Sequence, residues 1–217
     1  MRAVCIGERD RVIDAMKLHW SPRSPFVRKV MIFAHETGLV DRLECVRTLV
    51  AQTTANAELL SDNPLSKIPT LVLDDGTVLY DSAVICEYLD TLHEGEKLFP
   101  RDGSARWTAL RRQALGDGFM DFLILWRYER QRAHPLQSVI DAFGAKYAAT
   151  MKSLEQEASS FAGSAFGIGH VAIGCSLSYL DFRFAQLDWR KLHPQIATWH
   201  ASFAQRPSVK ATDPVDD

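Results

Sequence analysis

The sequence is poor in the features that announce most specialised protein classes. Its four cysteines, Cys5, Cys45, Cys86 and Cys175, include no C-x-x-C pair. So few thiols in 217 residues make no disulfide framework, and they read as buried, reduced groups of a cytoplasmic protein. No apolar run approaches the ~18 residues that span a bilayer, so no membrane partner is expected. Neither sign of charge dominates: 25 Lys and Arg stand against 27 Asp and Glu. A nucleic-acid binder carries a basic excess or stripe, and its absence argues against nucleic acid as a partner. The histidines form no H-E-x-x-H or similar ligand spacing, so no metal site is expected. The lack of a G-x-S-x-G elbow removes support for a serine hydrolase. Gly167-Ile168-Gly169-His170-Val171-Ala172 fits G-x-G-x-x-A, but it lies between helical segments, whereas a dinucleotide site needs a strand before it.

What the chain does contain is enough apolar material for two small domains. Hydrophobic residues make up 47%, which supplies cores without metals or cross-links. Residues 1–15 carry Glu8-Arg9-Asp10-Arg11 where a signal peptide would be apolar, and they read as an extension preceding a functional start at Met16. Leu18-His19-Trp20 is extended, and Ser21-Pro22-Arg23-Ser24-Pro25 is a turn. Val27, Val30, Met31 and Ala34 repeat at helical spacing, with Pro25 at the first helical position and Gly38 at the stop. Leu43 to Leu49 reads as a second strand, which makes the first third a β-α-β unit with a parallel pair.

A short helix over Glu58–Leu60 follows, broken by Asn63-Pro64. Thr70–Leu73 and Thr77–Tyr80 are strands joined by a hairpin at Asp75-Gly76. Ile85, Tyr88, Leu89 and Leu92 mark the next helix. The order β-α-β, α-β-β-α is thioredoxin-like. Beyond it strand signals nearly vanish. Helices are expected around Phe119–Trp126, over Lys146–Phe161, around Ile173–Phe184 and over Pro194–Arg206. The expected fold class is therefore α/β plus all-α. Residues 16–95 form the thioredoxin-like domain, 96–102 a linker, and 103–217 a helical bundle.

Three separated segments share one physical purpose. Ser24-Pro25-Phe26-Val27 opens the first helix, where unpaired N–H groups and the positive end of the dipole favour an anion. A hydroxyl there adds a hydrogen bond, although Ser24 would also serve as a plain cap. Ser21, one turn earlier, is a second candidate. Lys67-Ile68-Pro69-Thr70 sets a proline at the start of a strand. A cis Ile68–Pro69 bond would turn the Ile68 backbone outward to pair with an extended peptide. An ordinary edge-strand proline is the alternative. Asp81-Ser82 enters a helix directly from a strand, and can either take a carboxylate and an ammonium or act only as a cap.

Glutathione satisfies all of these demands. Its thiol, with an ordinary pKa of about 8.5, becomes mostly thiolate at neutral pH if lowered by roughly two units, which takes about 2.7 kcal/mol. A helix end and one charge-assisted hydrogen bond supply that much.

The run Ser21–Val30, the run Asn63–Leu71 and the run Tyr80–Leu89 together resemble the glutathione S-transferases, in order and spacing. The helical half is similar through Gly174–Phe182. The resemblance spans about Met16 to Pro207 and is nearest the bacterial serine-type and tau-like branches. It implies that Ser24 holds the thiolate with Phe26 beside it. Ile68, Pro69 and Lys67 would contact the cysteinyl unit and a carboxylate, and Asp81 and Ser82 the γ-glutamyl group. The second substrate would meet Trp126, Arg127 and Tyr128. It also implies a cytoplasmic homodimer acting in detoxification, with glutathione as co-substrate and no tightly bound cofactor. A glutathione-dependent isomerase, dehalogenase or ether-cleaving enzyme on the same fold is an alternative. So is a non-catalytic binding or regulatory protein. One departure concerns the main helix of the second domain. Gly167 and His170 stand where the family often has a Ser/Thr-x-x-Asp capping box, so the usual cap hydrogen bonds are expected to be missing.

Overall fold

The computed structural model describes residues 15–216, so the expected extension lies outside the described residues except for Ala15. Four strands, β1 (Met16–Trp20), β2 (Leu43–Arg47), β3 (Thr70–Val72) and β4 (Val78–Leu79), form one mixed sheet in the order β2-β1-β3-β4. β1 runs parallel to β2, with Leu18 opposite Cys45, and antiparallel to β3, with Leu18 opposite Leu71. β3 and β4 close the hairpin expected around Asp75-Gly76, where Gly76 takes φ +83°.

Helices α1 (Pro25–Glu36), α2 (Ala57–Asp62) and α3 (Ser82–Thr91) complete the thioredoxin-like domain. α1 starts at Pro25 because a proline at the first helical position gives up an N–H that has no partner there anyway. It ends where Gly38 turns to φ +70°, the left-handed region that glycine enters freely. Its apolar stripe and that of α3 meet the sheet in a core of Leu18, Val30, Phe33, Leu71, Ile85 and Leu89.

The rest is helical: α4 (Gly103–Arg130), α5 (Gln137–Ala162), α6 (Ile168–Phe184), α7 (Trp189–Leu192), α8 (Pro194–Phe203) and α9 (Pro207–Lys210). α5 begins well before the Lys146 expected from periodicity. Its first turns are largely exposed, and Ile140, Phe143 and Tyr147 continue the apolar stripe only as half-buried residues. α6 is apolar nearly all round and runs through the middle of the bundle. It approaches α4 so closely that a β-carbon on Gly116 would lie 2.6 Å from the carbonyl carbon of Ala172. Ile32, Met120, Val171, Cys175 and Phe203 form an apolar cluster that joins α1 to the helical half.

A buried ion pair reinforces that junction. Lys29 of α1 is wholly buried, and its Nζ donates to both carboxylate oxygens of Asp117 on α4, at 2.7 and 2.8 Å. Burial pushes the Asp117 carboxyl up, and the Lys29 charge opposes that shift.

Two expectations need correction. The first concerns the cysteines: Cys86 and Cys175 are buried, but Cys45 is exposed. β2 is an edge strand, and the neighbour reaching the Cys45 Sγ is the Met31 Sδ at 3.8 Å. Cys5 lies outside the described residues.

The second correction concerns the cap of α6. His170 replaces the missing acid: its Nδ1 accepts the Gly167 N–H at 3.2 Å, while its Nε2 faces the Phe161 carbonyl at 3.1 Å. The neutral tautomer with a proton on Nε2 satisfies both contacts, and burial pushes the His170 pKa down, toward that neutral form. Gly167 itself has no hydroxyl to offer, so only this half of the box forms. The reason for glycine is steric. A β-carbon there would lie 2.6 Å from the Leu98 carbonyl oxygen, which accepts the Ile168 N–H at 3.0 Å. Leu98 has little freedom to move, because Asp90 accepts its N–H at 2.9 Å and that of Phe99 at 3.2 Å. Restoring the usual serine by Gly167→Ser should therefore lower stability by about 1–3 kcal/mol, as overpacking does. A cap alone would raise it by about 1 kcal/mol. Urea unfolding of the two proteins distinguishes the signs.

Candidate functional site

The three segments meet along one cleft between the sheet and the helical half. Ser24 is the N-cap of α1. Its Oγ accepts the Val27 N–H at 3.3 Å, and its carbonyl accepts the Arg28 N–H at 3.0 Å. The hydroxyl therefore acts as an acceptor toward the helix and keeps its own O–H to donate. Pro25 has no N–H, and among the described residues nothing accepts the N–H of Phe26. The first turn thus presents one hydroxyl and one unused amide beside the positive end of the helix. Ser21 is buried, and its Oγ is engaged by the Arg23 N–H at 3.4 Å.

The Ile68–Pro69 peptide is cis, as expected. The backbone of Lys67 is used internally: its carbonyl accepts from the Asn63 side chain at 3.1 Å and from the Thr70 hydroxyl at 2.8 Å. Among the described residues no backbone partner takes the N–H or carbonyl of Ile68. The Lys67 side chain is exposed. Asp81 caps α3 by accepting the Ala83 N–H at 3.0 Å, and Ser82 is buried behind it.

Two recesses share Phe26, Leu65, Lys67, Ile68 and Asp121 as a common wall. One, of about 280 Å³, is lined by Pro69, Asp81, Ser82 and Asp117. The other, of about 450 Å³, opens onto Ser21, Ser24, Arg127 and Tyr128. The volumes suit a polar tripeptide in the smaller recess and a modest second molecule beyond Ser24.

The residues expected to meet that second molecule are divided by the structure. Arg127 and Tyr128 line the larger recess, with the Arg127 guanidinium 5.4 Å from the centre of the Tyr128 ring. Trp126 does not line it and is corrected to a core residue. It is only 6% exposed, and its ring stacks on Phe184 at 5.2 Å and meets Tyr147 at 5.9 Å. The cause is helical geometry, since consecutive residues on α4 point in different directions and Trp126 shares the buried face of Phe119 and Leu123. Sequence reasoning missed Arg23, Asp121, Tyr179 and Arg183, which line the larger recess as well. The i, i+4 spacing of Tyr179 and Arg183 on α6 was the available signal for a shared face.

Comparison with known proteins agrees with this arrangement. Residues 23–92 match the family model for the glutathione S-transferase N-terminal domain, and residues 137–202 that for the C-terminal domain. The uncharacterized GST-like protein YibF of Escherichia coli is 28% identical over 203 residues, covering 92% of this chain and 98% of its own. A glutathione transferase family member from Pseudomonas fluorescens Pf-5, solved with bound glutathione, is 44% identical with a TM-score of 0.90, covering 93% of this chain and all of that one. A second structure from that organism, with bound S-(propanoic acid)-glutathione, is 43% identical with a TM-score of 0.86 and the same coverage. With a thioredoxin-like half, a helical half and matches of this extent, the chain belongs to the glutathione S-transferase family.

Proposed function

We propose that this protein is a cytoplasmic, homodimeric glutathione transferase of the serine type. In this reading residues 16–95 bind glutathione, and residues 103–217 shape the site for an electrophile. The observation that carries it is the Ser24 hydroxyl at the first turn of α1. It is capped onto Val27, retains its proton for donation and opens onto a recess large enough for a second substrate.

Glutathione would lie along the cleft with its γ-glutamyl group at Asp81 and Ser82. Its cysteinyl backbone would pair with Ile68 beside Pro69, and Lys67 would meet a carboxylate. Its sulfur would rest against Ser24 and the Phe26 amide. The helix end and the donated hydrogen bond favour the thiolate over the thiol. The thiolate then attacks an electrophilic carbon held near Arg127 and Tyr128. A carbon–sulfur bond forms, and either the leaving group departs with its electron pair or a polarised double bond accepts the electrons and a proton. Rate comes from ionising the nucleophile and from holding both reactants together. The adduct bound in the Pseudomonas fluorescens relative is a glutathione alkylated on sulfur, the type of product this chemistry yields.

Titration calorimetry with glutathione tests the reading. Binding with a Kd of about 1 mM or tighter is expected, as KM values of enzymes commonly are. No heat at millimolar glutathione would overturn it and favour a non-catalytic protein.

A further inference from the structure

The larger recess is strongly cationic on one side. Its lining includes Arg23, Lys67, Arg127 and Arg183 against a single acid, Asp121. The structure gives this cluster an anion, and the anion is the chain's own. Arg183 donates to Asp216 with both guanidinium nitrogens, at 2.8 and 2.9 Å. That is the fork-to-fork geometry with which arginine grips a carboxylate. Arg183 leaves about a tenth of its side chain exposed, and Asp216, near the C-terminus, about 60%. The hydrogen bonds from Arg183 hold the Asp216 carboxyl below its usual pKa, and the charges of Arg183, Arg23 and Arg127, which line the same recess, act in the same direction. The segment leading to Asp216 is tethered further back, where Arg28 donates to Asp213 at 3.0 Å.

Resting on the transferase reading, we propose that the Arg23–Arg127–Arg183 cluster is a carboxylate subsite. It selects acidic electrophiles, and Asp216 occupies it until the substrate's carboxylate takes over. A carboxylate leaving water is well compensated there, because Arg183 offers two parallel donors and the neighbouring charges add to the field. A neutral electrophile would leave Arg183 with Asp216 and gain nothing from the cluster. The exposed position of Asp216 suits a group that must swing aside. Lys67 lies on the wall shared with the smaller recess and is assigned to glutathione, not to this subsite.

The test compares 4-chloro-3-nitrobenzoate with 4-chloro-3-nitrobenzamide, which share a ring, a leaving group and a reaction. The glutathione thiolate attacks the carbon bearing chlorine, the carbon–sulfur bond forms and chloride leaves with the electron pair. Measured against the uncatalysed rates, in which the more electron-withdrawing amide makes the benzamide the faster electrophile, the parent enzyme should favour the benzoate in kcat/KM. Arg183→Leu should lower kcat/KM for the benzoate by about tenfold or more, the size of a lost charge-assisted pair, and for the benzamide by less than about threefold. Asp216→Asn should raise benzoate turnover and leave the benzamide unaffected. It also keeps the test decisive if the Arg183 variant folds poorly. Equal losses for both substrates in Arg183→Leu, together with no gain in Asp216→Asn, would overturn the subsite. Glutathione calorimetry on each variant separates the two readings. Intact glutathione binding with no acid preference sinks the subsite alone. A loss of glutathione affinity in Arg183→Leu would reassign the cluster to the tripeptide. Absence of glutathione binding in the parent sinks the transferase reading itself.

Discussion

Asp117→Ala should destabilise the protein by about 3–5 kcal/mol, the cost of leaving a buried charge without its partner. Lys29 has no exposed surface, and among the described residues both of its hydrogen bonds to side-chain oxygens end on Asp117. The converse variant, Lys29→Met, should cost less, because the two partners are not equally buried. The Asp117 side chain keeps 22% of its surface exposed, and burial already pushes its carboxyl up. Losing Lys29 lets Asp117 take a proton or face the recess it lines. The methionine also retains the apolar contacts of the lysine stem. Replacing both, as in Lys29→Met with Asp117→Leu, should recover most of the loss, since an apolar pair of similar volume replaces a buried ion pair at little cost. Urea unfolding of the three variants measures these differences. A small effect of Asp117→Ala would mean that Lys29 finds water when its partner goes. The pair also joins α1 to α4, so glutathione affinity should fall in the same order as stability.

The second large effect concerns Ser24. Ser24→Ala should raise the pKa of the bound glutathione thiol by about one to two units, since a charge-assisted hydrogen bond is worth about 1.5–3 kcal/mol and one unit corresponds to 1.36 kcal/mol. Turnover at neutral pH should fall by about 3- to 25-fold, as the thiolate fraction drops from about three quarters to between a quarter and a few per cent. Alanine also removes the cap on Val27, at about 1 kcal/mol of stability. Ser24→Asp separates the two roles. Aspartate caps a helix as well as serine does, so stability should stay close to the parent. It offers no proton and adds a negative charge beside the sulfur, so the thiol should ionise even less readily than in Ser24→Ala. If Ser24→Asp instead works as well as the parent, Ser24 is a cap and nothing more. Ser21 would then be the hydroxyl to replace.

Much of the architecture was legible because local chemistry and packing agree. Pro25, Gly38 and Gly76 sit where backbone sterics place them, and the stripes on α1 and α3 face the sheet they cover. The first half of α4 was not legible because its buried face is polar or small, at Arg112, Gln113 and Gly116, and the first turns of α5 because their stripe at Ile140 and Phe143 is short and half-buried. The cap of α6 misled for a different reason. The space a serine would need belongs to Leu98, nearly seventy residues away in sequence, and no local pattern reports that. The cleft follows the same division. Ser24, Ile68 and Asp81 stand at starts of elements, which sequence marks well. Tyr179 and Arg183 reach the recess from a helix that is otherwise buried in the bundle, and Asp216 reaches Arg183 through the fold of the C-terminal segment. Trp126 adjoins Arg127 and Tyr128 in sequence, yet a helix turns successive residues to different faces.

The most direct measurement is a pH titration of the ultraviolet thiolate absorbance of glutathione bound to the unmodified protein. Ionisation centred about two units below the 8.5 of a free thiol is the predicted result. A midpoint at or above that of free glutathione would contradict it, because the opening turn of α1 would then give the sulfur no help in losing its proton.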